Sequence, residues 1–330
     1  MTTATARAFP NIALVKYWGK QDEDLILPVA GSLSLTLDAF PTTTTVSLDG
    51  AADADAFALN GSAASADATG RVTRFLDRVR ELAGSETRAS VVSTNEAPTG
   101  AGLASSASGF AALATAAASA YGLDLDQRDL SRLARRGSGS ASRSLVPGLA
   151  VWHAGDDASS YAEAVTGPDM RMVIVTVDTG QKAVSSRAAM RRSALTSPFF
   201  PAWISSTEES LAAMLEACAA DDFTRVGRIT ESHALRMHAV IQACDPPIRY
   251  LAPASIAIFD AVAALREMGL EAYSTADAGP NVAVIVRPEQ AEDLAAALQG
   301  FGSVRLVGPG AGAELVPAHA GATGATGATA

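Results

Sequence analysis

Lysine is scarce in this chain, and where it occurs raises the first chemical question. Of 25 basic residues only Lys16, Lys20 and Lys182 are lysine, and two of them lie four apart in NIALVKYWGK (11–20). Positions four apart share a face on a strand or a helix, so both ammonium groups can point the same way. Lysine is a compact point charge, suited to phosphate and to keeping a nearby carboxylate ionised. Where arginine is otherwise preferred, each lysine marks a geometric requirement. A solvated pair on an edge strand is the plain alternative, and Tyr17 and Trp18 between the lysines speak against it.

Three further segments carry groups of the matching kind. PTGAGLASSASG (98–109) places Gly100 and Gly102 just before a helical stretch. Exposed N–H groups at such a helix start, with its dipole, form a phosphate site, and Ser105 and Ser106 add hydroxyls for phosphate or magnesium. The segment is not the common P-loop, because no lysine follows its glycines. RRGSGSASRS (135–144) lets a backbone approach an anion, and Arg143 can grip a carboxylate or phosphate with a fork of donors. KAVSSRAAM (182–190) gathers Lys182, Ser185, Ser186 and Arg187, and DAGPN (277–281) sets Asp277 before a Gly-Pro turn. Each has a bland use as well: a tight strand-to-helix turn, a linker ending a helix, a surface loop, and an aspartate capping a turn.

These groups need elements to hold them. Isoleucine and leucine around Asn11–Val15 favour a strand. SLSLTLD and TTTTVSL, on either side of Pro41, alternate with period two and suggest a hairpin. Residues 70–84 have helical spacing and end in glycine, and RASVVSTN (88–95) reads as a strand leading into the Gly/Ser loop. A buried Ala-rich helix should run to Tyr121-Gly122, and an Asp-capped helix should precede residue 137. Strands are expected at 149–153 and 170–177. Further on, a capping box (Ser206 with Glu209) predicts a helix start, and others follow at Ser255 and Pro288. With the strands LEAYST, NVAVIV and SVRLV, the order β-α-β-β-α-β suggests a ferredoxin-like half.

Length and composition set the bounds. A chain of 330 residues fits two domains, 1–180 and 181–317, with a Gly-Ala-Thr tail at 318–330 expected to lack order. A net charge of −10 argues against nonspecific nucleic-acid binding, so cations for an anionic ligand must be gathered locally. His233 and His238, five apart, make a poor metal pair and read as core or surface histidines. The apolar runs are too short to span a membrane, and the opening residues lack an apolar signal segment. With two cysteines, the expected compartment is a reducing cytoplasm.

NIALVKYWGK, PTGAGLASSASG, GSGSASRS and DAGPN, in this order, resemble the mevalonate diphosphate decarboxylase family, within the superfamily of galactokinase, homoserine kinase, mevalonate kinase and phosphomevalonate kinase. The lysine motif is the specific one; the Gly/Ser loop is shared across the superfamily. The resemblance implies a two-domain α+β fold, an N-terminal domain like ribosomal protein S5 domain 2 and a ferredoxin-like C-terminal domain, with the active site between them. It implies ATP and Mg2+, mevalonate 5-diphosphate as substrate, decarboxylation to isopentenyl diphosphate, and a homodimer. On it, Asp277 handles the proton of the 3-hydroxyl with Lys16 as partner, while Arg143 and Asn11 hold the substrate carboxylate. Tyr17, Lys20, Ser138, Gly139, Ser140, Ser186 and Arg187 bind the diphosphate. Asn95, Pro98, Gly100, Gly102, Leu103, Ala104, Ser105 and Ser106 take the nucleotide, with Ser105 or Ser106 nearest the metal. Two departures are Gly100, where alanine is more usual, and Ala188-Ala189, where a glycine is expected. A decarboxylase of the 5-monophosphate, a kinase that phosphorylates without decarboxylating, and a nucleotide-binding protein without turnover are the competing expectations.

Overall fold

A computed structural model describes residues 2–96, 105–178, 180 and 182–317. Two sheets belong mainly to the first half. Six strands run in the order Glu314–Val316, Thr3–Ala8, Thr42–Asp49, Arg88–Asn95, Ala56–Leu59, Ser62–Ala63. Four others run Ala162–Ala164, Leu149–Trp152, Ser32–Thr36, Asn11–Val15. The second half holds an antiparallel sheet ordered Ala272–Thr275, Val282–Val286, Arg171–Thr176, Ser303–Val307. Numbered along the chain that order is 2-3-1-4, the ferredoxin-like arrangement the β-α-β-β-α-β pattern suggests. The whole is a two-domain α+β structure.

Local sequence explains the elements that frame the site. The helix Ala66–Ala83 is capped by Ser65, whose hydroxyl accepts from the Ala68 N–H, and stops at Gly84 in left-handed geometry (φ 58°). Val72, Phe75, Leu76 and Val79 form its buried stripe. Ser105–Ala120 is mostly alanine and serine, so it can lie close against the six-stranded sheet at little cost in side-chain entropy.

Four findings differ from the sequence reading. Ser32–Thr36 and Thr42–Asp49 are not a hairpin: the first pairs with Asn11–Val15 and Leu149–Trp152, the second with Thr3–Ala8 and Arg88–Asn95. Every residue of Ser32–Thr36 is buried, because both faces of its sheet are covered. The helix read as starting near Ser206 begins at Phe200, with Pro201 in its first turn. Burial of Phe200 and Trp203 extends it, and Ser206 lies inside, its hydroxyl donating to the Trp203 carbonyl (3.3 Å). GSGSASRS is not a linker but a buried 3-10 turn, Gly139–Leu145. Finally, Arg171–Thr176 pairs only with strands of the second half, and Glu314–Val316 pairs with Thr3–Ala8 of the first. A division at residue 180 therefore cuts off one of the second sheet's two inner strands, since its hydrogen bonds, not its place in the chain, assign it. The tail 318–330 lies outside the described residues.

One apolar cluster spans the halves. It holds Ile12, Leu14, Leu33 and Leu35 from the first and Met172, Met214, Phe223, Tyr273 and Ile285 from the second. Burying each such side chain contributes about 1.5–3 kcal/mol. This core presses the helices Phe200–Ala219 and Phe223–Gln242 against the strand that carries the lysine motif.

Candidate active site

Asn11–Val15 delivers the motif. Its pairing with Ser32–Thr36 slips between Ala13 and Val15, and the chain leaves the sheet at Lys16. The turn that follows needs Gly19, which takes φ 114° and would put a Cβ 2.6 Å from the Phe200 ring.

Lys16 is buried, and its Nζ donates to Asp277 Oδ1 (2.7 Å) and to the Ala13 carbonyl (2.7 Å). The two ionic partners are 261 residues apart in sequence. Asp277 remains 31% exposed, so its carboxylate can meet both the ammonium and a ligand. Burial lowers the Lys16 pKa, Asp277 opposes that shift, and nearby Arg143 adds to it.

Arg143 projects from the turn Gly139–Leu145 and is 3% exposed. Its Nε donates to Ser34 Oγ (2.9 Å) and Asn11 Oδ1 (3.2 Å), Nη1 to Ser32 Oγ (2.6 Å), and Nη2 to Asn11 Oδ1 (3.0 Å). All three partners are neutral, and these bonds occupy three of the five N–H groups a guanidinium offers. Asn11 is fixed by its own amide, which donates to Ser144 Oγ (2.8 Å) and the Ser140 carbonyl (3.0 Å). Burial pulls the Arg143 pKa down to about 10, against the pull of Asp277, which leaves it cationic at neutral pH.

The groups expected at a diphosphate cluster in part. The Tyr17 ring packs edge-on against Trp152 (4.8 Å), and its buried hydroxyl has no hydrogen-bond partner among the described residues. Burial raises its pKa, with Glu23 adding to the shift. Gly139 is required beside it: a Cβ there would lie 2.9 Å from the Tyr17 hydroxyl and 2.8 Å from the Trp152 ring. Ser138 Oγ lies 3.5 Å from Ser140 Oγ and 3.3 Å from Ser106 Oγ, so the start of the Ala-rich helix meets the GSGSASRS turn. Ser186 and Arg187 open the helix Ser186–Thr196, capped by Ser185. Arg187 lies within electrostatic reach of Tyr17. Lys20 pairs with Glu23 instead of standing free.

Lys20 and Arg187 also line a cleft of about 1020 Å³, with Arg71, Arg74 and Arg136. Glu23, Asp24 and Glu81 share its lining, whereas Lys16, Asp277 and Arg143 do not. Arg71 stacks over Phe110 (5.3 Å), and the positive charge of Arg187 adds to burial in lowering its pKa. The Asn95 N–H ends its strand on Asn60 Oδ1 (2.8 Å). Pro98, Gly100, Gly102, Leu103 and Ala104 lie outside the described residues, as does the side chain of Ser105.

The structure draws Lys182, Arg71, His233 and His238 toward the site, none of which has a role there on sequence alone. Lys182 is exposed as a residue, yet desolvation at its ammonium lowers its pKa and Asp277 opposes the shift, so it shares that carboxylate's field. Its signal was the same scarcity that singled out Lys16 and Lys20. Arg71 sits on an ordinary amphipathic helix and carries no local signal. His233 and His238 are core residues, as read, but they lie against the site. His233 Nδ1 accepts the Lys16 N–H (3.0 Å), and the His238 ring faces the backbone of Ala276 and Asp277. Burial lowers their pKa values to about 3 and about 4, aided in both by the charge of Lys16.

An acidic group paired with a buried ammonium, beside a buried and only partly satisfied arginine, can place a hydroxyl and hold an anion. An α+β chain with this arrangement belongs among proteins that act on small anionic molecules. Two family models cover most of it: residues 8–162 match a diphosphomevalonate decarboxylase-like N-terminal domain, and residues 172–305 match a mevalonate 5-diphosphate decarboxylase C-terminal domain. A diphosphomevalonate decarboxylase of Ganoderma lucidum is 39% identical over 315 residues, covering 87% of this chain and 78% of that one. A human protein of the same name is 36% identical over 328 residues, covering 91% and 81%. Among solved structures, mevalonate diphosphate decarboxylase from Staphylococcus aureus superposes with a TM-score of 0.92 at 39% identity, covering 96% and 98%. The Enterococcus faecalis enzyme gives 0.91 at 42%, covering 96% and 99%. A complex of MDDEF with MVAPP, AMPPCP and magnesium gives 0.91 at 43%, covering 96% and 99%. The chain belongs to the diphosphomevalonate decarboxylase family.

Proposed function

We propose that this protein converts mevalonate 5-diphosphate and ATP to isopentenyl diphosphate, ADP, phosphate and CO2. The observation that carries the assignment of roles is the Lys16–Asp277 pair, joined across 261 residues beside Arg143. A tertiary alcohol placed against Asp277 gives up its proton as its oxygen attacks the γ-phosphorus, and ADP leaves. The 3-phosphate is then a good leaving group. As its C–O bond breaks, the electrons of the bond to the carboxyl group form the alkene, and CO2 departs. Lys16 orients the Asp277 carboxylate, so Asp277 acts by placing the hydroxyl. Arg143, with Asn11, holds the substrate carboxylate through its two remaining N–H groups.

Tyr17, Ser138, Gly139, Ser140, Lys20, Ser186 and Arg187 form the diphosphate subsite in this reading. The unpartnered Tyr17 hydroxyl and the cationic lining near Lys20 and Arg187 support it. Asn95 and the segment from Pro98 to Ser106 take the nucleotide. Among the described residues no three His, Cys, Asp or Glu side chains gather as a self-contained cation site. The donor set therefore suits magnesium carried in on the ATP phosphates, with the Ser105 or Ser106 hydroxyl beside it. We place the enzyme as a homodimer in the cytoplasm, a setting compatible with two free, buried cysteines.

Incubation with ATP, magnesium and mevalonate 5-diphosphate is expected to release ADP and CO2 in equal amounts. ADP without CO2 would reassign the protein as a kinase. Faster turnover of the 5-monophosphate would move the substrate down by one phosphate.

A further inference from the structure

The geometry points to His233 as a positioning residue for this reaction: it holds the Lys16 main chain where the ammonium meets Asp277. The inference rests on the roles of Lys16 and Asp277 given above.

At Lys16 the chain has left the sheet, so its N–H needs another acceptor in a buried setting. His233 Nδ1 supplies it at 3.0 Å, reaching across 217 residues of sequence. The acceptor role fixes the tautomer. The ring proton must lie on Nε2, which faces Thr207 Oγ1 at 3.3 Å, and the Thr207 hydroxyl donates in turn to the Trp203 carbonyl at 2.7 Å. Every donor and acceptor in this chain has one consistent direction. The Trp203 ring rests against the imidazole (4.7 Å between centroids), and its Nε1 donates to the Trp18 carbonyl at 2.8 Å. The backbone from Lys16 to Trp18 is thus held at both ends by the helices Phe200–Ala219 and Phe223–Gln242. Lys16, Thr207, Trp203 and His233 are each at most 2% exposed, so water cannot stand in for a lost partner.

The Lys16 ammonium inherits this placement, since its second bond, to the Ala13 carbonyl, lies in the same turn. His233 has no bond to Asp277, so it acts through Lys16. Freeing the Lys16 N–H shifts the ammonium relative to the carboxylate, and misplacement of about 1 Å costs on the order of 10²-fold in rate.

Two variants separate positioning from packing. Asparagine carries an oxygen close to the Nδ1 position, whereas glutamine reaches toward the Nε2 position and loses the acceptor for Lys16. His233→Gln is expected to lower kcat at least about tenfold with the KM for mevalonate 5-diphosphate within about twofold, and His233→Asn to recover most of kcat. Equal kcat in the two variants, whether high or low, would overturn the proposal, because a packing role depends on volume alone. Asp277→Asn, run alongside, separates the failures: if that variant turns over normally, the site reading fails and not the histidine's part alone. Should either histidine variant not fold, the nitrogen-15 resonances of His233 in the wild-type protein decide. A bare Nδ1 and protonated Nε2 at neutral pH are expected; a protonated Nδ1 contradicts the proposal.

Discussion

Two buried arginines of the first domain, Arg80 and Arg143, are held in opposite ways. Arg80 is paired with acids: Nη1 and Nη2 reach the two oxygens of Asp55 at 3.0 Å each, Nη2 meets Asp77 at 2.5 Å, and Nη1 meets the Tyr121 hydroxyl at 3.3 Å. Asp55 in turn accepts the Ala89 N–H (2.9 Å), and Tyr121 donates to the Thr87 carbonyl (2.7 Å). Among the described residues Arg143 donates only to amide and hydroxyl oxygens, with no carboxylate in hydrogen-bond contact. The charge environments follow. Burial works against both cations, but the hydrogen bonds of Arg80 to Asp55 and Asp77 raise its pKa, whereas that of Arg143 is lowered to about 10. On the proposed reading, Arg80 is a structural charge neutralised by the protein itself, and Arg143 a binding charge oriented and left for the ligand to neutralise. Lys16 lies between these cases, paired with a carboxylate that still faces outward.

The contrast can be broken at either end. The largest effect belongs to Asp277→Asn, for which kcat should fall by about 10²–10⁴ with substrate affinity kept, measured by steady-state turnover and direct binding. An equally active variant removes Asp277 from the proton transfer. Next, Asp55→Ala leaves Arg80 buried without its main partner, and denaturant unfolding should show a loss of about 3–5 kcal/mol while the folded fraction keeps its kcat. A drop in kcat there, with stability intact, would erase the distinction between the two regions.

The two histidines give a smaller and graded effect. Their folded pKa values, about 3 and about 4, lie below the ordinary 6.5, so the unfolded chain binds more protons between these limits. Stability is therefore fully present above pH 6.5 and declines as pH falls toward 4, by up to about 1.4 kcal/mol per pH unit for each histidine. Replacing His238 with leucine should flatten that slope by about half in melts taken from pH 7 to pH 4.5. The mildest change is Lys20→Ala: because Glu23 already shares that charge, the substrate KM should rise only about tenfold, with kcat little changed. An unchanged KM would take Lys20 out of the diphosphate subsite.

How much of this the sequence disclosed depends on the range of the interaction. The strand Arg88–Asn95 and the Gly84 stop are governed by neighbouring residues, and both were readable. The lysine motif was readable because its residue types are rare in this chain. Strand pairing was not: SLSLT and TTTTVSL look like a hairpin, but what separates them is burial on both faces of one sheet, a property of distant segments. The helix at Phe200 starts early for the same reason, since the packing of Trp203 overrides a good local cap at Ser206. His233 could not have been placed at all, because its role is a bond to a main-chain N–H 217 residues away.

The most direct test pairs one ligand group with one arginine. Isopentenyl diphosphate keeps the diphosphate of mevalonate 5-diphosphate but has lost its 3-hydroxyl and its carboxylate, of which the carboxylate is the one charged group. Calorimetric affinities of both ligands for the wild-type protein and for Arg143→Gln form a closed cycle that isolates the contact. If Arg143 is a buried charge waiting for that carboxylate, the wild type should prefer mevalonate 5-diphosphate by at least about tenfold more than the variant does, some 1.4 kcal/mol of coupling. The same preference in both proteins would contradict the account.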